Sequence, residues 1–107
     1  MALMTSNLST TTDRLAPVHP GVFLDEDFLK PLGVTAYRLA QAMQVSPMRI
    51  SEIVRGKRAI TPDTAIRLAK ALGTTPEFWL KLQAFYDLEV TRDSVGDAAF
   101  AGVRKVA

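Results

Sequence analysis

Apolar positions recur at helical spacing along this chain, in five blocks divided by proline, glycine and hydroxyl residues. The central pair of blocks runs from Thr35 to Ile60. In the first, Ala36, Leu39, Ala40 and Met43 follow Thr35 at i, i+3, i+4 and i+7, and Thr35 suits the N-cap. Gln44-Val45-Ser46 breaks the pattern. Ser46 then caps a second helix with Pro47 at its first position, where the missing N–H costs nothing. Ile50, Ile53 and Val54 form its apolar stripe, and Gly56 ends it. Two short helices joined by a tight turn, with the small Ala40 at their crossing, predict a helix-turn-helix. An ordinary helical hairpin would bury the same stripe but would not require basic residues around it. Gln44 takes the turn position where glycine is common, so the pattern predicts a non-glycine residue at positive φ.

The flanking blocks predict three more helices. The first spans Gly21–Leu32, with Pro20 near its start and Pro31 and Gly33 at its end. Asp25, Glu26 and Asp27 lie in its first turns, where negative charge is favourable. Val22, Phe23, Leu24, Phe28, Leu29 and Leu32 supply its buried face. His19, the single histidine, reads as a loop or capping residue. Thr61-Pro62 opens the fourth helix, with Ala65, Leu68, Ala69 and Leu72 inside and Gly73 at its end. Thr75-Pro76 opens the fifth, which runs to about Val90. There Phe78, Trp79, Leu80, Leu82, Phe85, Tyr86 and Leu88 cover more than the single stripe a core-facing helix needs. Either this helix sits deep in the domain or its surplus face meets another subunit. The second reading is favoured: a symmetric dimer with Phe78, Trp79, Leu82, Phe85 and Tyr86 at the contact. Val95, Ala99, Phe100 and Val103, in the small-residue-rich end, suit a short helix, an added strand or a loose tail. The chain thus divides into a mobile N-terminal arm (1–18), whose Leu3, Met4 and Leu8 could dock on a partner, an all-α helix-turn-helix domain (19–92) and a C-terminal tail (93–107).

Composition narrows the function. With 107 residues, 48% of them hydrophobic, the chain suits one globular domain. No run of 18 apolar residues predicts a membrane span, and the N-terminus lacks the charged and apolar regions of a secretory signal. Absence of cysteine excludes disulfides and thiol chemistry and fits the cytoplasm. The net charge is only +2, but it is unevenly placed. Between residues 35 and 60, Arg38, Arg49, Arg55, Lys57 and Arg58 face Glu52 alone. Such a patch on an otherwise balanced domain is the footprint of a nucleic-acid partner. Catalysis has no support: there is no His/carboxylate cluster, no metal-ligand spacing and no phosphate-cradling glycine loop. Asp25, Glu26 and Asp27 are consecutive and do not converge on a metal. No enzymatic activity, cofactor, metal or small-molecule substrate is expected.

In a helix-turn-helix the second helix enters the major groove with its N-terminal residues toward base edges. That assigns base readout to Pro47, Met48, Arg49, Ser51 and Glu52. Arg49 offers its fork to guanine O6 and N7, and Met48 can touch a thymine methyl. Glu52 either accepts from cytosine N4 or orients Arg49 or Arg55 by a salt bridge. Arg38, Ser46, Arg55, Lys57 and Arg58 are assigned to phosphates, which position the protein without reading sequence.

Several stretches together resemble the HigA antitoxins within the phage-repressor/Cro-like (XRE) group. They are His19-Pro20-Gly21, Phe28-Leu29-Lys30-Pro31-Leu32-Gly33, Ile50-Ser51-Glu52-Ile53-Val54, Gly56-Lys57-Arg58-Ala59-Ile60-Thr61, Thr64-Ala65-Ile66-Arg67-Leu68-Ala69 and Pro76-Glu77-Phe78-Trp79-Leu80. The resemblance covers residues 19 to about 92. It implies a five-helix, lambda-repressor-like DNA-binding domain that dimerises, represses its own operon by binding double-stranded operator DNA, and binds a HigB-type toxin, a ribosome-dependent messenger-RNA endonuclease. The acidic first helix is the expected toxin-facing surface. Some relatives are solitary regulators without a toxin, and a protein-interaction adaptor could use the same fold.

Overall fold

The computed structural model describes residues 16–107. The expected N-terminal arm, with Leu3, Met4 and Leu8, lies almost wholly outside these residues. Five helices and a short 3-10 turn make up the described chain, with no strand. Helix α1 covers residues 20–32, α2 Ala36–Met43, α3 Pro47–Val54, α4 Pro62–Leu72 and α5 Pro76–Val95, and the 3-10 turn is Asp97–Phe100. The predicted caps form. Thr35, Ser46, Thr61 and Thr75 each accept a hydrogen bond from the main-chain N–H three residues on, and the last three, like His19 of α1, precede a proline at the first helical turn. Gln44 ends α2 with φ 58°, the left-handed conformation anticipated at that turn. The Val45 N–H closes on the Ala40 carbonyl at 3.0 Å, which satisfies an otherwise orphaned group.

Helix α1 departs from regular winding. Leu24–Leu29 is π-helical, and the Lys30 N–H reaches the Asp25 carbonyl five residues back. Pro31 lacks an N–H for the Asp27 carbonyl and its ring crowds that oxygen, so a wider turn just ahead of it relieves the clash. Six apolar residues, three of them consecutive, cannot share one face. Leu24 and Leu29 go inside, Phe23 and Phe28 sit at the boundary, and Val22 (46% exposed) and Leu32 (59% exposed) point out. The expected burial of Val22 and Leu32 is therefore corrected.

Leu24 and Leu29 meet Leu39, Ala40 and Met43 of α2, Ile50 and Ile53 of α3, Ile60 of the loop before α4, Ala65 and Leu68 of α4, and Trp79 of α5 in one core. Trp79, assigned from the sequence to a dimer contact, is 0% exposed, and that assignment is overturned. Its indole N–H donates to the Thr74 hydroxyl at 2.7 Å, and its rings pack between Phe28 and Phe78 at centroid distances of 5.2 and 4.9 Å. Consecutive helical residues point about 100° apart, so Trp79 turns inward while Phe78 stays exposed. The one polar side chain α5 buries is Gln83. It accepts from the Ile60 N–H at 2.8 Å and donates to Asp87 at 3.0 Å, tying α5 to the loop before α4. Helix α5 runs five residues beyond the expected Val90, because no breaker precedes Gly96. The C-terminal end forms a 3-10 turn, not a strand.

Candidate nucleic-acid interface

The site is built on α3. Ile50 and Ile53 are fully buried and fix the helix's rotation. On that register Met48, Ser51, Glu52 and Arg55 fall on the outward side, and Met48 is 65% exposed. Pro47 and Ser46 are exposed at the N-terminus. The Ser46 hydroxyl accepts from the Arg49 N–H at 3.2 Å, so its oxygen caps the helix while its own proton stays available to an acceptor.

Two carboxylates organise the cations here. Arg49 Nη1 donates to Asp63 Oδ2 at 3.1 Å. The same oxygen accepts from Arg67 Nε at 3.0 Å, and Arg67 Nη1 donates to the Met43 carbonyl at 2.9 Å. Hydrogen bonding to Arg67, reinforced by its charge and by Arg49, holds the Asp63 carboxyl below its ordinary range against a smaller opposing desolvation. Glu52 binds Arg58 through Nε at 2.9 Å and Nη2 at 2.7 Å. The sequence reading offered Glu52 cytosine, Arg49 or Arg55. The residue it meets is Arg58, which the turn at Gly56 (φ 74°) brings back beside it. Arg58 is thereby half-committed to an internal ion pair. Arg38, Arg55 and Lys57 carry no ion pair with another described residue and are exposed. Asp63 and Arg67 were missed from the sequence. Their i, i+4 spacing was visible there, but Arg49 lies fourteen residues from Asp63 and Met43 twenty-four from Arg67.

The basic loop has a second support. His19 is buried, and its Nδ1 accepts from the Gly21 N–H at 2.9 Å, the capping role read from its position. The ring also donates to the Arg58 main-chain carbonyl and meets the edge of Tyr86 at 4.9 Å. Both nitrogens are therefore used by neutral imidazole. Desolvation lowers its pKa below 6.5, opposed less strongly by the Arg58 carbonyl and the Asp87 carboxylate. A lowered folded pKa means the unfolded chain binds the proton more readily. The stabilisation from His19 is complete above about pH 6.5 and is lost as pH falls through the folded pKa. Urea melts at pH 7.5 and pH 5 should show lower stability at pH 5, and His19→Asn, which keeps a capping oxygen, should flatten that difference. Asp63 cannot mimic the effect, since its own contribution fades only below about pH 4.

The remaining predicted contacts divide by exposure. Phe85 is 65% and Phe78 38% exposed, and Leu82 and Tyr86 are partly buried. Phe85 and Leu82 line a shallow cavity of about 260 Å³ with Pro17, Val18, Phe23 and Glu89. The surplus apolar face of α5 thus lies at the surface.

A helix-turn-helix family model matches residues 26–79, half of the chain and the whole of α2–α4. Virulence-associated protein I of Dichelobacter nodosus is 47% identical over 78 residues, 73% of this chain and 72% of that one. Antitoxin HigA-1 of Vibrio cholerae is 43% identical over 83 residues, 78% of each chain. The solved structure of antitoxin GraA in complex with its operator superposes with a TM-score of 0.79 at 36% identity, over 91% of this chain and 98% of that one. On fold, on matched residues and on sequence identity, the chain belongs to the helix-turn-helix family, among the HigA-type antitoxins.

Proposed function

We propose that this protein is a sequence-specific repressor that binds operator DNA with α3, autoregulates its own operon and serves as the antitoxin of a HigB-type toxin. The observation that carries the reading is the N-terminal half of α3, with Met48 and Ser51 outward and Arg49 half-exposed at its side, next to Arg38, Arg55 and Lys57, exposed cations with no ion pair among the described residues. Cations with no internal partner exchange condensed counterions for phosphate contacts. The operator complex of GraA and the antitoxin role of HigA-1 support carrying the function to this chain. In this reading residues 19–92 are the DNA-binding unit, Pro47, Met48, Arg49 and Ser51 face base edges, and Ser46, Arg38, Arg55, Lys57 and Arg58 face phosphates. Glu52 acts by holding Arg58. Phe78, Leu82, Phe85 and Tyr86 join two copies, so that two α3 helices meet two half-sites about one DNA turn apart. The protein works on the nucleoid in the cytoplasm and has no catalytic activity of its own. No described helix is long and apolar enough to cross a membrane.

Two substitutions separate reading from anchoring. Binding is measured to a duplex from just upstream of the protein's gene and to a scrambled duplex, across salt concentrations. Arg49→Ala should cost about 1–3 kcal/mol on the upstream duplex and relax preference at one base pair. Lys57→Ala should weaken both duplexes alike and reduce the salt slope by about 1. Equal affinity of the wild type for the two duplexes at every salt concentration would refute autoregulation. Co-expression with the neighbouring toxin gene tests the antitoxin role: survival is expected with the antitoxin and growth arrest without it.

A further inference from the structure

We propose that Asp63 is a specificity-determining positioning residue, which aims the guanidinium of Arg49 at its base from the first turn of the following helix. The inference rests on the base-reading role given to Arg49 above. An arginine side chain has four rotatable bonds, and an unsupported one loses much of its discrimination to freedom of aim. Here the aim is fixed from outside α3. Asp63 Oδ2 holds Arg49 Nη1 at 3.1 Å and leaves Nε and Nη2 without a side-chain partner among the described residues. Asp63 is itself held by Arg67 at 3.0 Å, and Arg67 is anchored on the Met43 carbonyl at the end of α2. The chain Met43–Arg67–Asp63–Arg49 therefore links α2, α4 and α3. A carboxylate this near the DNA face repels phosphate, so Asp63 works against general affinity. Its two effects have opposite signs, and that makes the role measurable.

The probe is the duplex that the wild-type protein selects from random sequence, with each base pair then varied. It is assayed beside a random duplex for wild type, Arg49→Ala, Asp63→Asn and the double variant. Asp63→Asn should lower preference about tenfold at the base pair that Arg49→Ala relaxes, while random-duplex affinity stays level or rises. The double variant should discriminate no worse than Arg49→Ala alone. A purely structural role would weaken both duplexes together and would not single out that base pair. If Arg49→Ala relaxes one base pair and Asp63→Asn leaves it unchanged, the positioning role is wrong and the reading of Arg49 stands. Losses that add, or that fall at different base pairs, also overturn it. If Arg49→Ala keeps full preference, both fall together. Thr61 still caps α4 in Asp63→Asn. Should that variant melt early, Asp63→Ser, which also suits a helix first turn, takes its place with the same expectations.

Discussion

Gly21→Ala should destabilise the protein by about 3 kcal/mol or more, although in most helices the same exchange stabilises by up to about 1 kcal/mol. The reason is room. A methyl group at residue 21 would sit 1.8 Å from the Ile53 carbonyl oxygen, 2.7 Å from its carbon and 3.0 Å from the Val54 Cα. All three are main-chain atoms, so no rotamer change relieves the overlap. The start of α1 must lift off the end of α3, and Pro20 and Leu24, both fully buried, must lift with it. The comparison variant is Gly102→Ala, where an added methyl meets nothing within 4 Å and stability should move by less than about 0.5 kcal/mol. Urea melts of the two variants decide the matter. A loss under about 1 kcal/mol for Gly21→Ala would show that α1 does not seat against α3 as closely as this. The contact also bears on function. Ile53 and Val54 close the helix assigned to base reading, and His19, two residues before Gly21, holds the Arg58 carbonyl of the loop that follows. His19-Pro20-Gly21 is thus a docking element: a cap that grips the loop, a proline that starts the helix and a glycine that lets it touch α3.

Much of this was legible in the sequence because local rules suffice for it. Thr35, Ser46, Thr61 and Thr75 announce four helix starts, and Gly33 and Gly73 announce two ends, each by a hydrogen bond or dihedral that depends on residues close by. The basic residues around α3 were equally plain. Pairings across the fold were not. Asp63 reads as an ordinary first-turn acid, and nothing near it names Arg49. Glu52 had two arginines close in sequence, and the partner it takes depends on how Gly56 folds the loop. The π-helical turn had a visible cause in Pro31, but the widening that resolves its clash is a choice among several. Gln83 carried a signal that went unused, since a lone polar residue between apolar neighbours on a core-facing helix marks a buried hydrogen bond.

The fifth helix shows why an apolar residue's role is undecided until its direction is known, and two substitutions there should behave in opposite ways. Trp79→Ala should cost about 3–5 kcal/mol of folding stability. It removes the largest fully buried side chain, leaves a cavity between Phe28 and Phe78, and strands the Thr74 hydroxyl that accepted the indole N–H. That loss arises within one copy of the chain, so it should persist at any protein concentration. Phe85→Ser removes a ring that is 65% exposed and fills no core space, so it should change the stability of a single copy by less than about 1 kcal/mol. If the outer face of α5 joins two copies, the same change should shift sedimentation from dimer toward monomer and lower affinity for a two-half-site duplex far more than for a single half-site. Exchanged outcomes, with Phe85→Ser unfolding the chain and Trp79→Ala only dissociating it, would reverse the assignment of inner and outer faces. A dimer that survives Phe85→Ser intact would move the contact away from Phe85, and the exposed Leu88, one helical turn along the same face, would be the next position to change.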